Sequence, residues 1–258
     1  MPAAFPETDF RAFGRAATTL FPPRAGIFDQ EKNRRSFDRA WKAVRYRYRS
    51  CVDCNEEFRA LLVNPSKPFQ PGWSDEGSTY ELERCIYLFF MSGLSVFDSL
   101  AFCLYFVGHA TKPNDFSCVA SPRKIDRKRT SAAFRATFPQ AALSGLLVSL
   151  QSDPKLSTND ARFVTIDTVR NLVGHRLSGQ QIVQFSKGTH SELWDIPGLA
   201  KPLTFDNEML QRRLDDITQL LTSLISAARQ FAESHQPAQV NHDRRTRPLQ
   251  RGPSVLGS

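Results

Sequence analysis

Between Ile86 and Val107 the chain reads IYLFFMSGLSVFDSLAFCLYFV, 22 residues whose only formal charge is Asp98. A helix of that length that is apolar on every side has two homes: a bilayer it can span, or the centre of a helical bundle. On an insertion scale a central Asp costs ~3 kcal/mol and each Leu, Ile, Phe or Val returns ~0.3 to 0.6, so with three Ser the sum lies near balance. No second segment of this kind exists to partner it. The reading taken is a core helix, and membrane association is not expected.

The rest of the chain supplies material to bury such a helix. Of 258 residues 41% are hydrophobic, 20 of them Phe, enough for a substantial core. Residues 1–29, with Pro2, Pro6, Pro22 and Pro23, read as an extended or partly ordered arm rather than a helix. From Gln30 to Val63 the charge is dense and Pro and Gly are absent, which predicts a long helix. Residues 64–78 read as loop. The apolar helix follows over 79–108, with Ser78 or Thr79 as cap and Gly108 as its end. A polar linker and a basic patch (Arg123, Lys124, Arg127, Lys128, Arg129) lead to a helix near 139–152. Another helix, capped by Ser157, Asn159 or Asp160, runs to about Leu177. Residues 179–204 read as irregular, with QIVQF able to pair as a short strand. After Asp206, apolar residues at Leu210, Leu214, Ile217, Leu221, Leu224, Ala228 and Phe231 trace one helical seam. The tail past Glu233 is too polar to fold on its own.

Charge bounds the partners. Lys and Arg number 34 against 26 Asp and Glu, giving +8 and a pI near 9.5, which favours polyanions. Five Cys, an odd number with none in the last half, do not form the framework of a stapled secreted domain. The start, MPAAFPETDF, lacks a basic region followed by an apolar run, so a cytoplasmic protein is expected.

The segment that carries chemistry is Arg170-Asn171-Leu172-Val173-Gly174-His175. At about 100° per residue Asp167, Asn171 and His175 form a polar stripe, and Phe163, Ile166, Val169, Val173 and Leu177 an apolar face. Arg170 sits at the boundary. Arg170 and His175 lie ~140° apart on an ideal helix, so convergence needs the long Arg side chain, a distortion at Gly174, or a second subunit. Gly in a helix interior costs ~1 kcal/mol relative to Ala and marks a bend or close approach.

Arg-Asn followed by His175 near the end of a bundle helix, after a long apolar helix, resembles the signature of the HEPN superfamily. The resemblance covers about residues 79–233, with diagnostic residues at Arg170, Asn171 and His175. It implies an all-α helical bundle of HEPN-like type; outside the resemblance, the residue pattern adds an N-terminal helical extension over residues 30–78 and a disordered basic tail over 236–258. It also implies a homodimer whose two motifs share one cleft, and either metal-independent RNA cleavage without a cofactor or a non-catalytic binding module. Defence or toxin-type systems, with an antitoxin or regulatory partner protein, are the settings it suggests.

The residue types suit that role. A His with pKa ~6.5 can take a proton from a ribose 2′-hydroxyl or give one to a leaving 5′-oxygen. The Arg170 guanidinium matches charge growing on phosphate oxygens. Asn171 is expected to orient His175 or the backbone. Asp98 needs a donor if buried and is expected to face this cluster, with Arg170 or His175 as partner. The plainer reading keeps Arg170 and Arg176 solvated and lets His175 cap the last carbonyls of the helix.

Other constellations bear on RNA. Arg34, Arg35, Arg39, Lys42, Arg45, Arg47 and Arg49 interleave with Phe37, Trp41, Tyr46 and Tyr48, offering phosphate contacts beside rings that stack on bases. The same pattern also fits a solvated face whose rings pack inward. The tail adds Arg244, Arg245, Arg247 and Arg251. Cys51 and Cys54 form a lone CxxC without a second pair or His companions, and read as ordinary thiols.

Overall fold

A computed structural model describes residues 4–21, 28–63, 76–151, 158–175, 180–186, 189–195 and 203–236, with side chains throughout except at 28–30, 63, 76–79, 175 and 180–203. The chain is an all-α helical bundle carrying one small sheet. Its centre is α3 (Glu76–Thr111), which contains the apolar stretch. This helix is long and apolar enough to cross a membrane, and 61% of its apolar window is buried inside the bundle. Phe89, Phe90, Phe97, Leu104 and Phe106 are each at most 1% exposed. The helix opens at Glu76, so Ser78 and Thr79 belong to its first turn rather than preceding it. It also continues three residues past Gly108. That glycine is a packing device, since a Cβ there would lie 2.4 Å from the Phe116 ring.

The helix α2 (Phe28–Val63) makes the most extensive pairing with α3. Phe37, Val44, Tyr48, Cys51 and Phe58 fall along one side of it and are buried in the same core as α3. Residues 30–63 are therefore a layer of the bundle, where the charge density alone suggested an outlying extension. Against α2, α3 and α7 (Asn207–Ser234) rests α1 (Glu7–Leu20). The expectation of an extended arm fails here: the prolines flank residues 7–20 and none interrupts them. Phe10, Phe13, Ala17 and Leu20 recur at helical spacing and are buried. The Phe10 ring stacks on Trp41 with centroids 3.6 Å apart, and Asp9 pairs with Arg229 of α7 at 2.7 Å.

After three short 3₁₀ turns come α4 (Arg127–Thr137), α5 (Ala142–Ser149) and α6 (Ala161–His175). Of the basic patch, Arg123 and Lys124 lie in the last 3₁₀ turn, and Arg127, Lys128 and Arg129 start α4, because Asp126 caps it: its Oδ1 accepts the Arg129 N–H at 2.6 Å. Asp160 caps α6 in the same way, accepting from Arg162 N at 2.9 Å. Residues 179–204 are not irregular throughout. Gln180–Ser186 (β1), Thr189–Asp195 (β2) and Leu203–Phe205 (β3) form an antiparallel sheet in the order β1-β2-β3, with Ile182 opposite Leu193 and Glu192 opposite Phe205. QIVQF lies within β1, as expected. Asp206 then caps α7 through Met209 N at 2.6 Å, and all seven seam residues from Leu210 to Phe231 are buried. Leu177 and the tail beyond residue 236 lie outside the described residues.

Candidate functional site

The motif helix α6 packs its apolar face against α3 and α7. Phe163, Ile166, Val169 and Val173 are buried, and of the polar stripe Asp167 is buried as well while Asn171 is exposed. The side chains on that stripe are joined. The Asn171 amide donates to Asp167 Oδ2 at 3.5 Å and its oxygen accepts from Arg170 Nη1 at 2.8 Å. Asn171 thus bridges Asp167 and Arg170, and the expected orienting of His175 falls on a side chain outside the described residues. Arg170 is half-buried and Asn171 exposed. His175 is the last residue of α6, and its side chain lies outside the described residues. A Cβ at Gly174 would meet nothing within 4 Å, so no close approach within the described chain explains that glycine.

Asp98 is not paired with Arg170. Its Oδ1 receives Arg127 Nε at 2.7 Å, and 47% of its side chain is exposed. The same guanidinium reaches toward Asp167 Oδ1 at 3.8 Å and lies 4.7 Å over the Phe163 ring. Arg127 is thus the residue that sequence reasoning missed. It links α3, α4 and α6 and connects Asp98 to the motif stripe indirectly. The Asp126-Arg127-Lys128-Arg129 run signals the start of a helix, but not which of its cations turns inward. Beside this network Asp98, Asp126, Lys128, Gln151 and Asp167 line a cavity of about 230 Å³.

The basic residues of α2 divide by what they touch. Arg47 Nη1 donates to Ser95 O at 2.8 Å and Ser99 Oγ at 2.5 Å on α3, so this cation fastens two helices. Arg45 lies 3.4 Å from Glu7 and Arg49 3.9 Å from Asp53, while Arg35 pairs with Glu31. Arg34, Arg39 and Lys42 are exposed, with no ion pair among the described residues. Of the four interleaved rings, Phe37 and Tyr48 are buried and Trp41 is packed on α1. Tyr46 alone is free, at 77% exposure. Both cysteines of the CxxC are buried, and burial pushes their thiols up, away from the reactive thiolate.

Comparison of the chain with protein-family models, with curated proteins and with solved structures finds no match.

Proposed function

We propose that this chain acts on RNA through the exposed end of α6, cutting it without a metal by the combined work of Arg170 and His175. The observation that carries the reading is the hydrogen-bonded row Asp167, Asn171, Arg170. It holds a permanently charged guanidinium beside the exposed Asn171, in a row whose buried end, Asp167, is approached by Arg127. In the reaction a ribose 2′-oxygen attacks the adjacent phosphorus and the bond from phosphorus to the 5′-oxygen breaks. The products are a 2′,3′-cyclic phosphate and a 5′-hydroxyl. His175 serves as the proton carrier at one of the two oxygens, and Arg170 neutralises the non-bridging oxygens as charge grows on them. The separation of ~140° between the two residues on an ideal helix favours a cleft completed by a second copy, one supplying Arg170 and the other His175. A restraining partner protein, as in toxin-type systems, would act by covering the same stripe. Five free thiols accord with a reducing, cytoplasmic setting.

Cleavage of a mixed RNA in the presence of a chelator, by the native chain beside Arg170→Ala and His175→Ala, tests the reading. Loss in both variants, with cyclic phosphate ends from the native chain, supports it. Equal cleavage by all three removes it. Binding without cleavage is the second reading, favoured by the in-chain hydrogen bond that Arg170 already makes. It is the outcome in which the native chain retains RNA but leaves it intact.

A further inference from the structure

We infer that the outer face of α2 is a binding ridge for single-stranded nucleic acid, with Tyr46 as the ring on which one base stacks. Between Lys32 and Arg49 the helix carries eight Lys or Arg and one acid, Asp38. At about 100° per residue Arg35, Arg39, Lys42, Tyr46 and Arg49 fall within ~80° of one another, on the side opposite the buried Phe37, Val44 and Tyr48. With a rise of ~1.5 Å per residue the row is ~21 Å long: Arg35, Arg39 and Lys42 follow one another at ~4.5 to 6 Å, and Tyr46 stands between Lys42 and Arg49, which are ~10 Å apart.

The occupant follows from charge and from that one ring. A ridge of cations attracts a phosphate backbone by releasing its counterions. The two cations nearest the ring on its N-terminal side, Arg39 and Lys42, have no ion pair among the described residues. The pairs of Arg35 and Arg49 with Glu31 and Asp53 are exposed and open to exchange for phosphate. A membrane surface is disfavoured, because the apolar side of α2 is consumed by the core and Tyr46 is its one exposed ring among the described residues. A duplex is disfavoured as well: its base faces are already stacked, and Tyr46 would find none to cover.

The ridge lies on a different helix from Arg170, so its test is separable from cleavage. The full chain carrying His175→Ala is titrated, by fluorescence anisotropy, into labelled 15-residue oligo(U), oligo(dT), an RNA duplex of the same length, and vesicles containing phosphatidylserine. One or both single strands are expected to bind, the duplex more weakly. The logarithm of affinity should fall with the logarithm of salt at a slope of about −3, the value for four phosphate contacts to a single strand. The triple variant Arg39→Glu/Lys42→Glu/Arg49→Glu is expected to lose more than about tenfold in affinity and to flatten that slope. Tyr46→Ala should lose about fivefold or more on single strands and nothing on the duplex, with Tyr46→Phe retaining native affinity. All these positions are exposed, and an unchanged thermal melt establishes that each variant is folded. Native affinity in the triple variant, duplex preference indifferent to Tyr46, or binding to vesicles alone would each overturn the inference. A chain that never cleaves RNA still gives a clear answer here.

Discussion

Arg127 on α4 holds Asp98 on α3 with Nε and Oδ1 2.7 Å apart, and the same side chain approaches Asp167 on α6 at 3.8 Å. Asp167 is the more dependent partner, only 12% of its side chain being exposed against 47% for Asp98. Removing the guanidinium by Arg127→Ala leaves a largely buried carboxylate facing no cation and uncovers the Phe163 ring. The expected cost is ~2 kcal/mol of unfolding free energy in urea titration. Asp98→Asn is expected to cost under ~1 kcal/mol, because water screens that end of the pair. Arg127→Lys should recover less than half of the loss, one ammonium being unable to span both carboxylates over a ring. Equal urea midpoints for Arg127→Ala and the native chain would show the network to be idle.

Two glycines should respond in opposite senses to an added methyl. Gly108→Ala forces a Cβ to within 2.4 Å of Phe116, a ring already fixed against Tyr105 and Phe134, and should lower stability by ~1 to 3 kcal/mol. Gly174→Ala meets open space and should raise it by ~0.5 to 1 kcal/mol. Thermal melts of the two variants beside the native chain decide this. If two copies meet at the end of α6, as the proposed cleft requires, Gly174→Arg should shift the mass measured by light scattering to that of a monomer and remove cleavage with it.

On the proposed function Asn171 is a positioning residue, since it holds Arg170 and is itself held by Asp167. Asn171→Leu is expected to lower kcat by ~10 to 100-fold while KM changes little. Stability should stay within ~0.5 kcal/mol, the side chain being exposed. Asn171→Gln, which keeps the amide one methylene further out, should recover part of kcat. An unchanged kcat in Asn171→Leu would separate the row from any chemistry.

Alkaline pH should weaken the fold through its buried thiols. Burial pushes the Cys85 thiol up to about 12, and those of Cys51 and Cys103 are raised well above the ordinary range by the same cause. In the unfolded chain these groups release their protons near pH ~8.5, so above that value the folded state binds more protons than the unfolded one and stability falls as pH rises. Each thiol contributes a slope of up to ~1.4 kcal/mol per pH unit between those limits. Urea midpoints at pH 7.5, 9.5 and 10.5 should decline, and less steeply in Cys51→Ala/Cys103→Ala. A parallel decline in both chains would assign the effect to other groups.

Local signals were readable in the sequence and long-range ones were not. The seam from Leu210 to Phe231 and its Asp206 cap are properties of one segment, and both stand as expected. So does the buried face of α6 at Phe163, Ile166, Val169 and Val173. α1 was readable too, from Phe10, Phe13, Ala17 and Leu20, but flanking prolines outweighed a pattern they do not interrupt. Arg127 belongs to another class. Its partners lie 29 residues before it in Asp98 and 40 after it in Asp167, and nothing in the local pattern of a basic run says which of five cations turns inward. The rings of α2 show the same limit: Phe37, Trp41, Tyr46 and Tyr48 look alike in the sequence, and only packing separates the one free ring from the other three.

One turn of α3 carries Ser95, Asp98 and Ser99, with Arg47 fastened to it from α2 and Arg127 from α4. A cylinder greasy all round has no preferred rotation, and sliding it by a turn exchanges one Phe or Leu for another at little cost. This turn acts as a key. Only one rotation and one height of the cylinder satisfy both arginines at once, so the polar notch selects a single alignment from several that hydrophobic contact alone would tolerate. Its consequence is geometric: the outer face of α2 and the stripe of α6 are indexed to the same level of the central helix, whichever ligands they hold.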